Sequence, residues 1–325
     1  MVKQFKFFMF CLLAAFVFIS CSKEDEAMSI DDLEELLRTR NLTAHPEQRH
    51  FQNNPLPVGK DCLRVLCIGS SYTEDALTYV PHILQGTEIP NSSYSIYKAI
   101  IGASTLETWW NTVANNDTIQ LLYVAGSRMS LERGVWKDLL AQPWDVISLR
   151  QFFGDAADYA TFTPWLQKLI DFIREKCPNK NVTFAWQTAW SCSELYPPYK
   201  KSHESWIKIS LVVQQMVMTD GIDVLIPAGT AIQNARASSL NTSSELTRDG
   251  THLDLGIGCY IASCTLVQSL FAPVFGITVL GNEVIPLMRT SSDAIYPSQP
   301  VTEENREECQ RCAIAAVNSP FAIMH

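Results

Sequence analysis

Residues 63–68 read LRVLCI, an apolar run broken by one arginine, and that is how a strand buried on both faces looks in sequence. Four similar runs follow, at residues 94–101 (YSIYKAII), 145–149 (DVISL), 181–186 (NVTFAW) and 223–226 (DVLI). Helix-like segments fill the intervals, at residues 76–84, 164–176, 205–219, 230–237 and 255–271, with another at 303–317. Strand and helix alternating at this spacing predict an α/β chain, a three-layer α/β/α sandwich on a five-stranded, mostly parallel sheet. Residues 118–139 break the rhythm and read as an insertion beside the site. At 325 residues and 47% hydrophobic, the chain has ample material for a large core.

The first 60 residues stand outside that pattern. Lys3 and Lys6 precede an apolar stretch over residues 7–19, too short to span a bilayer comfortably, and Ser20 comes directly before Cys21. This resembles a bacterial lipoprotein signal, cleaved before Cys21 with lipid on its thiol, although Phe18 replaces the usual leucine. An ordinary secretory signal or an uncleaved anchor is the plainer alternative. Ser22-Lys23-Glu24-Asp25-Glu26 is a solvated charge run in itself. It also resembles the acidic export tag of surface lipoproteins in Bacteroidota. The expected organisation is a signal over 1–20, a tether over 21–60 with one helical pattern near 30–38, and a single domain over 61–325 that includes a C-terminal helix. The expected location is the outer membrane, exposed at the cell surface, with Cys21 lipid as the only membrane attachment.

A net charge of −9 argues against nucleic acid, which needs a basic stripe, and against docking on anionic lipid. There is no phosphate-binding loop of the G-x-x-x-x-G-K-[ST] type, no dinucleotide fingerprint and no G-x-S-x-G elbow. Of ten cysteines, Cys11 leaves with the signal and Cys21 takes lipid. Export permits disulfides among the rest, but Cys67 lies in a strand-like run and reads as a buried thiol. Cys309-x-x-Cys312 has no second pair nearby, so a local disulfide or two free thiols is expected there rather than a metal. No metal and no organic cofactor is implied.

In a parallel sheet, ligands bind beyond the carboxyl ends of the strands. The residues expected there are Gly69-Ser70-Ser71-Tyr72-Thr73, Gly102-Ala103-Ser104, Arg150-Gln151, Gln187-Thr188-Ala189-Trp190 and Pro227-Ala228-Gly229-Thr230. Acyl transfer needs a nucleophile, a base, a group that orients the base, and donors for the oxyanion. Among six histidines, His252 has the most telling neighbours, in Arg248-Asp249-Gly250-Thr251-His252. One turn there can set the Asp249 carboxylate against the imidazole. Taken alone, D-x-x-H is also a surface turn with a capping aspartate.

The combination says more. Ser71 follows the first strand in Gly69-Ser70-Ser71, Gly102 follows the second, and Asp249 and His252 precede the last long helix. This layout resembles the SGNH (GDSL-type) hydrolase superfamily, with its flavodoxin-like fold. Closer still, it resembles the domain-of-unknown-function family DUF4886, through IGSSYTED at 68–75, WDVISL at 144–149, IPAGTAIQNAR at 226–236 and DGTHL at 249–253. The likeness runs over about residues 61–320. It implies a serine esterase in which Ser71 attacks, His252 is the base and Asp249 orients it, with the Ser71 and Gly102 N–H groups as oxyanion donors. Two departures stand out: Ser70 replaces the common aspartate, and Arg150-Gln151 replaces the asparagine of the third block. Gln151 is therefore the candidate third donor, and Arg150 a candidate for holding a carboxylate or sulfate. Tyr72, Trp109, Trp110 and Trp190 are candidates for stacking on a sugar, with core packing the alternative for each. Gln187, Asn234 and Arg236 are candidate polar contacts, with capping or surface bonding the alternative. The expected substrate is an O-acylated, most simply O-acetylated, carbohydrate. A glycan-binding lipoprotein without catalysis is the rival reading.

Overall fold

The computed structural model describes residues 28–43, 55–196, 201–216 and 221–324. The expected signal peptide, the lipidated Cys21 and the acidic run lie outside the described residues.

The first strand, β1 (Leu63–Gly69), shows why the chain divides into layers. Its side chains alternate, so Leu63, Val65 and Cys67 join one core while Leu66 and Ile68 join the other. Before it, α1 (Ile30–Thr43) lies on the second face. After it come α2 (Ser71–Leu77), α3 (Val80–Gln85), β2 (Tyr94–Ile100), α4 (Leu106–Ala114), β3 (Thr118–Gln120), β4 (Leu122–Gly126), β5 (Arg133–Val135) and α5 (Trp136–Leu140). The chain continues through β6 (Val146–Leu149), α6 (Trp165–Lys176), β7 (Thr183–Gln187), α7 (Ser202–Met216), β8 (Val224–Ile226), α8 (Ala228–Arg236), α9 (Ile257–Leu270), α10 (Ala272–Phe275) and α11 (Glu303–Asn318).

The main sheet has the order β4-β2-β1-β6-β7-β8. All neighbours run parallel except β4, which pairs antiparallel with β2. Five strands were expected, and they are the five parallel ones. The sixth, β4, comes from the stretch read as an insertion, which also supplies the small β3–β5 ribbon. This strand carries an apolar run, LLYVA at 121–125, but it is half-exposed and lies outside the strand–helix alternation that marks the other five. Gly126 ends it at φ +88°, where a Cβ would stand 2.1 Å from the Tyr94 carbonyl oxygen.

Helices α2, α3, α8, α9 and α11 cover one face, and α1, α4, α5, α6 and α7 the other. Helix α9 is buried nearly all round, because it is overlaid by α11 as well as packed on α2 and α8. The described parts of the stretch expected to be a tether pack on the domain: α1 buries Leu33 and Leu37, and Leu56 joins the first core. Among the described residues all eight cysteines are free thiols, with Cys309 and Cys312 on the buried side of α11, so no local disulfide joins them. No described helix is long and apolar enough to cross a membrane.

Candidate active site

β1 delivers the chain to a tight turn. A Cβ on Gly69 would lie 2.0 Å from Thr73 Oγ1 and 3.0 Å from Arg150 Cδ, so only glycine fits. Ser70 is extended, at φ −127°, and α2 starts at Ser71. Position N1 of a helix leaves its backbone N–H without an intrahelical acceptor. The Gly102 N–H follows β2 in an exposed loop whose next residue, Ala103, holds a left-handed φ of +51°. A Cβ on Gly102 would meet nothing within 4 Å, so packing does not require glycine there.

The base arrives from a loop between α8 and α9. Thr247 bridges to Leu253, and the Arg248 N–H donates to the His252 carbonyl, 2.9 Å. Inside that closed loop Gly250 takes φ +89°. Asp249 Oδ1 accepts from the N–H groups of Thr251 (2.8 Å) and His252 (2.7 Å). Asp249 Oδ2 lies 2.6 Å from His252 Nδ1, and His252 Nε2 lies 2.8 Å from Ser71 Oγ. Burial opposes ionisation of Asp249, but hydrogen bonds from the His252 ring and two backbone N–H groups hold its carboxyl far below the usual range. An ionised carboxylate only accepts, so Nδ1 carries the hydrogen and Nε2 is free to accept from the Ser71 hydroxyl.

A second link fastens the two halves. Asp75, on α2 one turn after the serine, accepts from Arg248 Nη1 (3.0 Å) and from the Leu253 N–H (3.0 Å). Burial pushes the Asp75 carboxyl up to about 6, against the lowering effect of Arg248. Asp75 and Arg248 were assigned no role from sequence. Their only signal is opposite charge beside Ser71 and Asp249. Behind the serine, Tyr72 is buried and stacked on Trp190, with ring centroids 4.0 Å apart. Phe153 stacks on Tyr72 at 5.2 Å, and it too was missed.

Several expected contacts turn out to be structural. Gln151 is not an oxyanion donor, because its Nε2 donates to the Thr161 carbonyl (3.0 Å) while Oε1 accepts from Leu106 N–H (3.0 Å) and Phe152 N–H (2.9 Å). Trp109 is buried edge-on against Trp136, and Trp110 packs on Phe172. Trp190 donates from Nε1 to the Thr251 carbonyl, 2.9 Å, bracing the base loop from below. Gln187 donates to the Tyr72 carbonyl at 3.2 Å. Asn234 ties α8 to α11 by donating to the Cys312 carbonyl (3.1 Å) and accepting from Met324 N–H (2.8 Å). Arg236 is spent on Ser191 and the Glu245 carbonyl. Tyr72 and Arg150 lie behind the site and are buried, as is each of these except Trp110. Among the described residues no group of three or more His, Cys, Asp or Glu is placed to hold a metal.

A family model described as a domain of unknown function, DUF4886, matches residues 64–294. Among solved structures, a DUF4886 family protein from Bacteroides uniformis is similar at 26% identity and a TM-score of 0.65, covering 81% of this chain and 98% of that one. An acetyl xylan esterase, AlAXEase, is similar at 16% identity and TM-score 0.40, over 62% of this chain and 96% of that one. Axe2, an acetylxylan esterase from Geobacillus stearothermophilus, is similar at 14% identity and TM-score 0.43, over 65% and 94% of the two chains. At these values neither esterase says anything about the chemistry of this chain. No curated protein matches the sequence.

Proposed function

Because the chain belongs to the DUF4886 family, whose description assigns it no chemistry, the function must be argued from the site, and we propose that it is a serine esterase that removes O-acyl groups, most simply O-acetyl, from carbohydrate. The observation that carries the reading is the line Ser71 Oγ–His252 Nε2 (2.8 Å) and His252 Nδ1–Asp249 Oδ2 (2.6 Å). A nucleophile in contact with a base, itself oriented by a carboxylate, is the arrangement acyl transfer uses.

In this mechanism Ser71 Oγ attacks the ester carbonyl carbon while its proton passes to His252 Nε2. Asp249 stays ionised and stabilises the imidazolium. The carbonyl oxygen becomes an oxyanion held by the Ser71 and Gly102 N–H groups. Collapse breaks the bond to the alkoxy oxygen, which takes the proton from His252 and leaves as the sugar hydroxyl. Water, deprotonated by His252, then attacks the acyl-serine, and the second collapse releases the carboxylic acid and restores the Ser71 hydroxyl.

Carbohydrate is favoured by the lipoprotein-like leader, with lipid on Cys21 and exposure at the outer surface as part of the same proposal. The tryptophans expected to stack on sugar lend no support, because each is engaged in packing with other side chains. The test compares wild type with Ser71→Ala on an activated acetyl ester. A loss of roughly 10⁴-fold or more in kcat is expected, since knocking out the nucleophile of such a triad costs that much. Unchanged turnover in the variant would sink the reading. An inert wild type that binds acetylated glycans would favour the rival reading, a glycan-binding lipoprotein.

A further inference from the structure

Arg150 presents a physical anomaly. It follows β6 at the carboxyl end of the sheet and is 3% exposed. Its Nη1 donates to Ser70 Oγ at 3.0 Å, and its Cζ lies 4.6 Å from the Tyr72 ring centroid. Its Cδ is what a Cβ on Gly69 would strike, at 3.0 Å. The guanidinium therefore lies directly beneath the Gly69-Ser70-Ser71-Tyr72 turn. Nε and Nη2 are buried with no acceptor. Among the described residues no carboxylate pairs with it, because Asp75, the acid that acts on it electrostatically, is itself bonded to Arg248. Burial lowers its pKa only to about 10, so it is a cation at neutral pH.

A buried cation without a counter-charge is strongly disfavoured unless something else uses the charge. Ser70 is informative here. It is the N-cap of α2, yet its side chain makes no capping bond and accepts from Arg150 instead. The proposed reaction creates one negative charge in this neighbourhood, the oxyanion beside the Ser71 N–H. Gln151 does not serve it, and the residue before Gln151 does bring a charge.

Resting on the esterase reading above, we propose that Arg150 is a positioning residue of this site: its unpaired guanidinium holds Ser70 and sets a fixed positive charge beneath the nucleophile turn, in place of a third side-chain oxyanion donor. It acts through the turn and through its field, since its nitrogens are shut off from the cleft. Both functions oppose reorganisation at the moment charge develops, so they favour the tetrahedral intermediate over the bound ester.

The experiment measures kcat and KM on an activated acetyl ester, fluorophosphonate labelling of Ser71, and thermal midpoint, for wild type, Arg150→Met, Arg150→Lys and Ser70→Ala. Arg150→Met is expected to lower kcat and labelling rate roughly tenfold to hundredfold, with KM nearly unchanged. Arg150→Lys, which keeps the charge, is expected to recover most of that loss. Ser70→Ala is expected to lose only a few-fold, and because it removes no cap it folds even if Arg150→Met does not. Equal losses in the Met and Lys variants, or loss that tracks melting temperature, would show a merely structural residue and overturn the proposal. So would wild-type kcat in Arg150→Met, or in Ser70→Ala should Arg150→Met not fold. A wild type that neither hydrolyses the ester nor labels would instead overturn the esterase reading itself.

Discussion

Two glycines beside the nucleophile separate space from chemistry at the scale of single residues. Gly69 is boxed in by Thr73 and Arg150, whereas Gly102 faces open space. Gly69→Ala is therefore expected to destabilise the protein by about 1–3 kcal/mol, as overpacking does. Gly102→Ala is expected to unfold with wild type in the same urea titration. Equal destabilisation by both would mean the Gly102 loop is tighter than its surroundings indicate. The Gln151 result belongs at this scale too. Its position after β6 was legible, but its orientation was not, because an amide goes wherever unpaired backbone groups call it. The Leu106 and Phe152 N–H groups claimed its oxygen.

Among elements, α2 and the loop before α9 must be held in register, or Ser71 and His252 part. The Asp75–Arg248 pair does this, with side chains only 5% and 14% exposed. Breaking a buried pair by removing one partner leaves the other charge stranded. Arg248→Met is therefore expected to cost about 3 kcal/mol or more of stability and to lower kcat more than it raises KM. Chemical denaturation and steady-state kinetics together check this. A variant with full stability and full kcat would show that the bridge to Leu253 holds the loop alone. Sequence periodicity placed one helix over 76–84, where the structure ends α2 at Leu77 and starts α3 at Val80, and it carried no sign of this pair, whose members are separated by 173 residues.

Across the whole molecule, pH dependence follows from three carboxyls, Asp75 and Asp254 buried and Asp249 partly so. Burial raises Asp254 to about 7 and Asp75 to about 6. The folded state thus binds these protons more tightly than the unfolded chain, and stability falls as pH rises through those values. Asp249 is shifted the opposite way. Its contribution is present above the ordinary carboxyl range and is lost as pH falls below it. The thermal midpoint is expected to rise as pH falls from about 7 to about 4 and to fall again below that. A midpoint that climbs steadily from pH 6 to pH 8 would contradict the Asp254 and Asp75 shifts.

What sequence alone determined was the layering, the five parallel strands and the places where chemistry would sit. Those depend on local quantities: apolar runs, helical period, and the rule that strand ends carry sites. The order of Ser71, Gly102 and Asp249-x-x-His252 along the chain was legible for the same reason. Tertiary structure alone decided which polar side chains reach the cleft and which are consumed in holding it. Asn234, Arg236, Gln187 and Trp190 all stand at strand ends or on adjoining elements, yet each meets a backbone carbonyl instead of solvent. The physical reason is that buried polar atoms must be paired, and their partners come from segments far away in the chain, where no local pattern records them.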